Sequence, residues 1–196
     1  MKYSHIIGLF VLFFANNAFS QNQINVLEES NILRMNMTHS ELTIKGTSTL
    51  HDWDSKAETV TAVLIFNDDK NQIEKLNLDI EIASIKNSKG SSIMDKITRK
   101  ALKESQFPKI SYEFINAEVI SNNDEELRMK LVGFLTIAGK TNEVEINTVI
   151  DKGDKNVVLK GSHRLKMTDF NVDPPSALFG TIQTGDEITI DFLIKF

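Results

Sequence analysis

The segment 46–54 concentrates the side chains that could perform chemistry, and it reads GTSTLHDWD. A serine nucleophile elbow requires a closing glycine two residues after the serine, and Leu50 occupies that position. His51, Asp52 and Asp54 could offer one nitrogen and two carboxylates to a metal, but three such residues in one short segment do not make a closed site. We therefore predict no catalytic residue and no metal site. We expect His51 and Asp52 to hydrogen-bond backbone groups where a strand turns.

Three further features invite a functional interpretation. Trp53, the only tryptophan, could plug the closed end of a barrel or contact a bound ligand. His163 shares the alternation of Leu159 and Leu165, which predicts a hydrogen-bonded histidine in the core. The segment 170–179 contains two adjacent prolines and two phenylalanines, and it could line the mouth of a pocket or cover a sheet edge.

Residues 1–20 have the build of a secretory signal peptide. Lys2 precedes an apolar run over residues 6–14, and small residues stand at positions −3 and −1 before Gln21. The apolar run is too short to span a bilayer. We therefore expect cleavage before Gln21, a mature domain over residues 21–196, and a periplasmic or secreted location.

Charge and cysteine content exclude several classes of protein. Removing Lys2 from the 22 basic residues leaves 21 against 27 acidic residues, a formal charge of −6. The charges are interspersed, which argues against a face that binds nucleic acid. The sequence contains no cysteine, so an exported domain would depend on its own core without disulfides or thiolate metal ligands.

Alternating apolar and polar residues predict a chain made almost entirely of strands. The predicted strands are Ile32–Met37, Leu42–Ser48, Thr59–Phe66, Leu76–Ile82, Ile110–Ile120, Leu127–Ile137, Val144–Ile150, Val157–Leu165 and Ile188–Phe196. Eight or nine antiparallel strands that are each apolar on one face must bury those faces together. A closed barrel or a two-sheet sandwich achieves this.

One segment, residues 91–104, has helical periodicity instead. Its apolar side chains are Ile93, Met94, Ile97, Ala101 and Leu102, and charged residues lie between them. The spacing predicts an amphipathic helix of about three turns. Ser92 with Asp95 three residues later predicts its cap, and Pro108 ends the segment.

Small residues share the apolar face of three predicted strands. They are Gly46 with Ser48, Gly133, and Gly161. Such residues could leave volume for one small ligand inside an eight-stranded barrel. Alternatively, the glycines could bend the strands at barrel corners.

The order of these strands and turns resembles that of the YceI-like family, bacterial lipocalin-like proteins described as polyisoprenoid-binding. The resemblance is carried by GTSTLHDW at 46–53, FPKISYEF at 107–114, GFLTIAGKT at 133–141 and GDEITIDF at 185–192. It covers nearly all of residues 32–196. It implies an all-β fold, an eight-stranded (or nine-stranded) antiparallel lipocalin-like barrel with one amphipathic helix covering an end.

The resemblance also implies an exported carrier or buffer that holds a polyisoprenoid, quinone or fatty-acyl lipid in its lumen. The residues predicted to line the lumen and its mouth are Trp53, Leu78, Ile80, Met94, Ile97, Phe114, Leu135, Phe170, Phe179 and Phe192. A charged head group is expected near Lys89, Ser91 and Ser92, where a helix N-terminus offers free backbone N–H groups. We expect no cofactor besides the lipid. The oligomeric state stays open, with a homodimer as one option.

Two segments depart from the family pattern. An aromatic pair usually follows the helix, where residues 104–107 read ESQF, and an arginine-led motif ending in glycine is common where residues 166–171 read KMTDFN. The implied fold does not depend on either motif. The identity of the ligand is left open.

Two other functions remain open from the sequence. Alternating strands that end in Phe196 also fit an integral outer-membrane barrel. Trp53 and Tyr112 are too few interfacial aromatic residues for two girdles, so we expect no membrane insertion. A barrel filled by its own side chains would instead act through its surface.

Overall fold

Among the residues that the structure describes, side-chain alternation produces twelve β-strands, and one segment forms an α-helix. The computed structural model describes residues 32–67, 72–151, 157–177 and 180–196, which belong to one compact unit, Ile32–Phe196. The signal peptide expected over residues 1–20 lies outside the described residues. The strands are β1 (Ile32–Arg34), β2 (Glu41–Ser48), β3 (Trp53–Ala57), β4 (Val60–Phe66), β5 (Ile73–Glu81), β6 (Ile85–Asn87), β7 (Lys109–Asn122), β8 (Glu126–Ile137), β9 (Lys140–Asp151), β10 (Val158–Lys166), β11 (Ser176–Ala177) and β12 (Ile182–Lys195). The helix α1 spans Ser92–Ala101, and short 3-10 turns span Met37–His39, Ile82–Ser84 and Met167–Phe170.

Hydrogen-bonded pairing joins these strands into a ring of eight. The order is β1-β4-β5-β7-β8-β9-β10-β12-β2-β3-β6, and β11 pairs with β12 beside it. β3 and β4 form one bent strand and β5 and β6 another, because β3 pairs with β6 while β4 pairs with β5. β2 pairs with both β12 and β3, so the ring closes. The predicted eight-stranded antiparallel barrel is therefore confirmed.

The two bent strands keep their pairing through the bend. The 3-10 turn Ile82–Ser84 separates β5 from β6, and Ser84 is only 8% exposed. Its hydroxyl accepts from the Thr59 amide at 2.9 Å and donates to the Glu81 carbonyl at 2.7 Å. The Glu58 amide donates to the Ser84 carbonyl at 3.1 Å. The buried hydroxyl is thus satisfied, and it holds the corner of the barrel.

Local hydrogen bonds explain where the strands differ from prediction. The first strand ends at Arg34, because the Asn36 side chain accepts from the Thr38 amide at 3.1 Å and caps a 3-10 turn. β9 begins at Lys140, earlier than predicted, because its turn is only Ala138-Gly139, with φ of 49° and 82°. Positive φ at both central residues is typical of a type I′ hairpin turn. The short strands β3, β6 and β11 were not predicted.

The N-cap of the helix lies one residue earlier than predicted. The Ser91 hydroxyl, not that of Ser92, caps α1 by accepting from the Met94 amide at 3.4 Å. Asp95 is not engaged in a capping box, because its carboxylate accepts from the Asn87 amide at 2.8 Å. This contact ties the first turn of α1 to the end of β6. The helix ends before Lys103, which has a φ of 55°.

The two ends of the barrel differ in packing. We call the end away from α1 the packed end, and its core side chains are Leu64, Phe66, Ile73, Leu127, Met129 and Ile150, all at most 3% exposed. The segment 32–40 crosses this end from β4 to β12. The Met35 amide donates to the Ala62 carbonyl at 3.0 Å, and the Asn36 amide donates to the Lys195 carbonyl at 2.7 Å. Met35 packs against the core from this segment.

We call the opposite end, where α1 lies, the helix end. There β2 ends at Ser48, β9 begins at Lys140 and β10 ends at Lys166. No residue of α1 is fully buried. The helix end is therefore covered by an element that packs less tightly than the side chains of the packed end.

Candidate functional site

An apolar cavity of about 170 Å³ lies inside the barrel, between the helix end and the packed end. Helix α1 contributes Met94, Ile97, Thr98 and Ala101 to its lining, and the strands contribute inward-facing side chains. Within the described part of the chain, no aspartate, glutamate, lysine or arginine lines the cavity. The site therefore favours an apolar and uncharged occupant.

Eight of the predicted lumen residues line this cavity. They are Trp53, Leu78, Ile80, Met94, Ile97, Leu135, Phe170 and Phe192. Their alternation on the strands and their helical spacing on α1 bring them to one volume. Phe179 lies outside the described residues.

Phe114 does not line the cavity, contrary to prediction. It pairs with Gly133, but the ring of Tyr112 occupies the space over that glycine. A β-bulge between Phe114 and Asn116 shifts the register immediately afterwards. Phe114 instead packs against the larger core cluster of the barrel.

Aromatic rings cover the three inward-facing glycines on which the expectation of free volume rested. A Cβ atom at Gly46 would lie less than 3.0 Å from the Trp53 ring, and one at Gly133 would lie as close to the Tyr112 ring. A Cβ at Gly161 would meet the Phe192 ring in the same way. The glycines therefore do not leave their own volume empty. They let large rings lie against the barrel wall, and these three rings line the cavity.

Trp53 is fixed at the helix end rather than at the packed end. Its indole nitrogen donates to the Thr47 carbonyl at 3.0 Å, and its ring lies across β2 on Gly46. Because the ring also borders the cavity, Trp53 can report on a bound molecule by fluorescence. Of the two interpretations of Trp53, the structure supports the pocket contact.

The cavity wall contains two titratable side chains among the described residues, Tyr112 and His163. Burial raises the pKa of Tyr112 to about 12 and lowers the pKa of His163. Both shifts favour the neutral form at neutral pH. The wall is thus uncharged even where it is polar.

The hydroxyl of Thr148, another polar side chain of the wall, already has a hydrogen-bond partner. Thr148 is 3% exposed, and its hydroxyl donates to the Met129 carbonyl at 3.3 Å. The Tyr112 hydroxyl, by contrast, is buried without a hydrogen-bond partner among the described residues. No sequence pattern indicates this difference, because it depends on the direction of each side chain.

Side chains of the protein bind several backbone amides at the N-terminus of α1, where a charged head group was expected. The Asn87 side chain accepts from the Lys89 amide at 3.1 Å and from the Ser91 amide at 3.4 Å. The Ser91 hydroxyl accepts a hydrogen bond from the Met94 amide, and the Asp95 carboxylate lies in the first turn. Lys89 and Ser92 are exposed beside this turn. The amides of Ser91 and Met94 therefore already have partners within the protein.

The segment 167–175 covers the helix end beside α1. Phe170 and Val172 are each 2% exposed and line the cavity together with Pro175. Asp186 holds the turn by accepting from the Thr168 amide at 3.0 Å and from its hydroxyl at 2.7 Å, which lowers the pKa of Asp186. This half of the proline-containing loop lines the mouth, which was one of its two predicted roles.

In the segment 46–54, the His51 side chain contacts a backbone group, as expected, and Asp52 takes part through its backbone carbonyl. The Ser48 hydroxyl donates to the His51 carbonyl at 2.7 Å, and the His51 ring contacts the Asp52 carbonyl at 2.7 Å.

No group of three or more acidic, histidine or cysteine residues that could hold a metal ion occurs in the described ranges. Within the same ranges, no helix has the length and apolar character needed to cross a membrane.

Comparison with known proteins places this geometry among solved structures. The YceI-like domain model matches residues 33–196. BcnA from Burkholderia cenocepacia is similar with a TM-score of 0.71 and 16% identity, over 83% of this chain and 99% of that chain. A polyisoprenoid binding domain from Saccharophagus degradans, implicated in plant cell wall breakdown, has a TM-score of 0.65 and 10% identity over 84% and 97%.

A third similar structure is the YCEI protein of Campylobacter jejuni, with a TM-score of 0.57 and 20% identity over 72% of this chain and 82% of that one. At these identities the three likenesses concern the fold alone. No curated protein matches the chain.

Proposed function

The chain belongs to the family of YceI-like domains, and from this membership we propose that it is an exported carrier or buffer for an apolar chain. The ligand would be a polyisoprenoid, a quinone or a fatty-acyl lipid held in the barrel. The observation that carries the proposal is the apolar cavity, whose described lining contains no acidic or basic residue. The similarity to a polyisoprenoid binding domain from Saccharophagus degradans supports the same class of ligand.

Burial of the chain would supply the binding energy. Each methylene moved from water into the cavity contributes about 0.8 kcal/mol, so an apolar chain needs few polar contacts. The lining side chains are suited to hold such a chain rather than to react with it. We therefore propose binding without chemistry at the ligand.

The cavity volume indicates that a long ligand must extend through the helix end. Its volume of about 170 Å³ is close to the ~150 Å³ of an apolar cavity that accepts benzene. A longer chain would therefore displace α1. This helix is the candidate to move, because it has no fully buried residue, whereas the packed end is closed by side chains at most 3% exposed.

Two isoleucines on α1 provide a matched test of the cavity as the binding site. Ile97 lines the cavity, whereas Ile93 is 70% exposed on the same helix. We expect Ile97→Asp to weaken lipid binding at least tenfold, because it places a carboxylate against an apolar wall. Ile93→Asp carries the same charge on the same helix and should bind like the wild type.

The measurement is mass spectrometry of organic extracts from gently purified protein, followed by titration of the delipidated proteins. Circular dichroism and melting curves verify that both variants fold. A wild type that carries and takes up no apolar chain would contradict the proposal and favour a filled barrel. Equal binding by the two variants would place the site elsewhere.

The proposed compartment rests on the signal-peptide pattern of residues 1–20. Intact mass of the protein purified from its native host should correspond to a chain beginning at Gln21. A mature protein that keeps Met1 would overturn the export proposal. The binding proposal would be unaffected.

A further inference from the structure

The hydroxyl of Tyr112 is the one buried side-chain polar atom of the described residues that has no hydrogen-bond partner. Tyr112 is 8% exposed and borders the cavity. A buried hydroxyl without a partner destabilises the folded state, so its presence in an otherwise apolar wall needs an explanation. A phenylalanine would present the same ring without this cost.

The register of the barrel places this hydroxyl beside the cavity, against Gly133. Tyr112 pairs with Leu135 on β8, but its ring extends over Gly133, which lies farther from the helix end. The hydroxyl oxygen itself would lie less than 3.0 Å from a Cβ at Gly133. The next inward residue is Leu131, which is 2% exposed and lines the floor of the cavity. The ring therefore points its hydroxyl toward the packed end.

The surrounding chemistry limits what could pair with the hydroxyl. Thr148 already donates to the Met129 carbonyl, and the described wall contains no charged side chain. His163 is the other titratable group of the wall, and burial favours its neutral form. An anionic head group in this cavity would lack a cation to compensate its desolvation. Burial of an uncharged oxygen acceptor does not require a compensating cation.

We propose that the Tyr112 hydroxyl donates a hydrogen bond to an uncharged carbonyl oxygen of the ligand, a ketone, quinone, ester or amide, so that the polar end of the ligand enters the barrel first. This inference rests on the proposed function, because it concerns the same cavity. The apolar tail then lies toward the helix end, between Trp53 and α1. The site selects uncharged carbonyl amphiphiles over fatty acids and lipid phosphates, since those anions would be buried without a counter-charge.

The test compares Tyr112→Phe, which removes only the hydroxyl, with the wild type. Both proteins are delipidated and titrated calorimetrically with three molecules of equal chain length: an alkane, a methyl ketone and a carboxylate. We expect the wild type to bind the ketone about tenfold more tightly than the alkane, the gain of one buried hydrogen bond. It should bind the carboxylate least tightly. Tyr112→Phe should lose the preference for the ketone over the alkane.

The only tryptophan reports the orientation of the ligand. Trp53 borders the cavity at the helix end, away from Gly133. A methyl ketone brominated at its terminal carbon should therefore quench Trp53 more strongly than one brominated beside the carbonyl. The reverse order would mean that the head group faces the helix end.

The outcomes separate this inference from the proposed function. Binding of the alkane by both proteins, with no ketone preference in the wild type, would overturn the role of Tyr112 and leave the carrier intact. A ketone preference that survives in Tyr112→Phe would do the same. A wild type that binds none of the three molecules would overturn both proposals.

Discussion

The packed end and the helix end are made of the same alternating strands, yet they differ in what fills the barrel. At the packed end Leu64, Leu127 and Met129 are 0% exposed and their side chains leave no room. Around the cavity, Leu78, Ile190 and Phe192 are only partly buried. The comparison indicates that one half of the barrel supplies folding stability and the other half supplies a binding volume.

Truncation of matched leucines should give the largest difference between the two ends. Leu64→Ala should lower the free energy of unfolding by about 3–5 kcal/mol, because it opens a new cavity in a closed core. Leu78→Ala, on the neighbouring strand but beside the existing cavity, should cost at least about 1 kcal/mol less, since its side chain has fewer packed neighbours to lose. Urea unfolding of both variants measures this. Equal losses would show that the helix end is packed as tightly as the other.

A side chain added at Gly133 tests whether the glycine is needed for the Tyr112 ring. Gly133→Leu should lower the free energy of unfolding by about 1–3 kcal/mol, because its Cβ would lie less than 3.0 Å from that ring. Tyr112→Ala combined with Gly133→Leu should recover part of the loss, because the leucine then occupies the vacated space. Thermal and urea unfolding measure both variants.

The neighbouring residue Val132 points away from the lumen and provides the control for Gly133. Val132→Leu enlarges an outward side chain on the same strand and should change the free energy of unfolding by less than about 0.5 kcal/mol. If Gly133→Leu were equally harmless, the volume beside this glycine would be free, as its position in the sequence suggested.

The pH dependence of stability should show the smallest effect, and it arises at His163. Burial lowers the folded-state pKa of His163 below the usual value of 6.5, so the unfolded chain binds more protons between these two values. The free energy of unfolding should therefore fall as the pH drops below about 6.5 and reach its full value above it. His163→Gln should flatten this part of the curve. His39→Gln, at an exposed position, should leave this part of the curve unchanged. If the free energy of unfolding of His163→Gln fell with pH as steeply as that of the wild type, His163 would not be the source of the effect.

The sequence predicted much of the site because periodicity is a local property. Leu78 and Ile80 on one strand, and Met94 and Ile97 on the helix, share faces by spacing alone, and all four line the cavity. Phe114 has the correct alternation as well. Its place at the wall is taken by Tyr112, because a bulge and a cross-strand glycine decide which ring faces the lumen.

The amino-acid pattern by itself thus determined the antiparallel strands, their dry face and the amphipathic helix. Only the tertiary structure decided the bends that join β3 to β4 and β5 to β6, since these depend on the hydrogen bond between Ser84 and Thr59 of the neighbouring bent strand. It also decided that Trp53 lies on Gly46, Tyr112 on Gly133 and Phe192 on Gly161. These pairs are set by strand register, which joins residues far apart in the chain. For the same reason, the unpaired hydroxyl of Tyr112 becomes visible only once the barrel is closed.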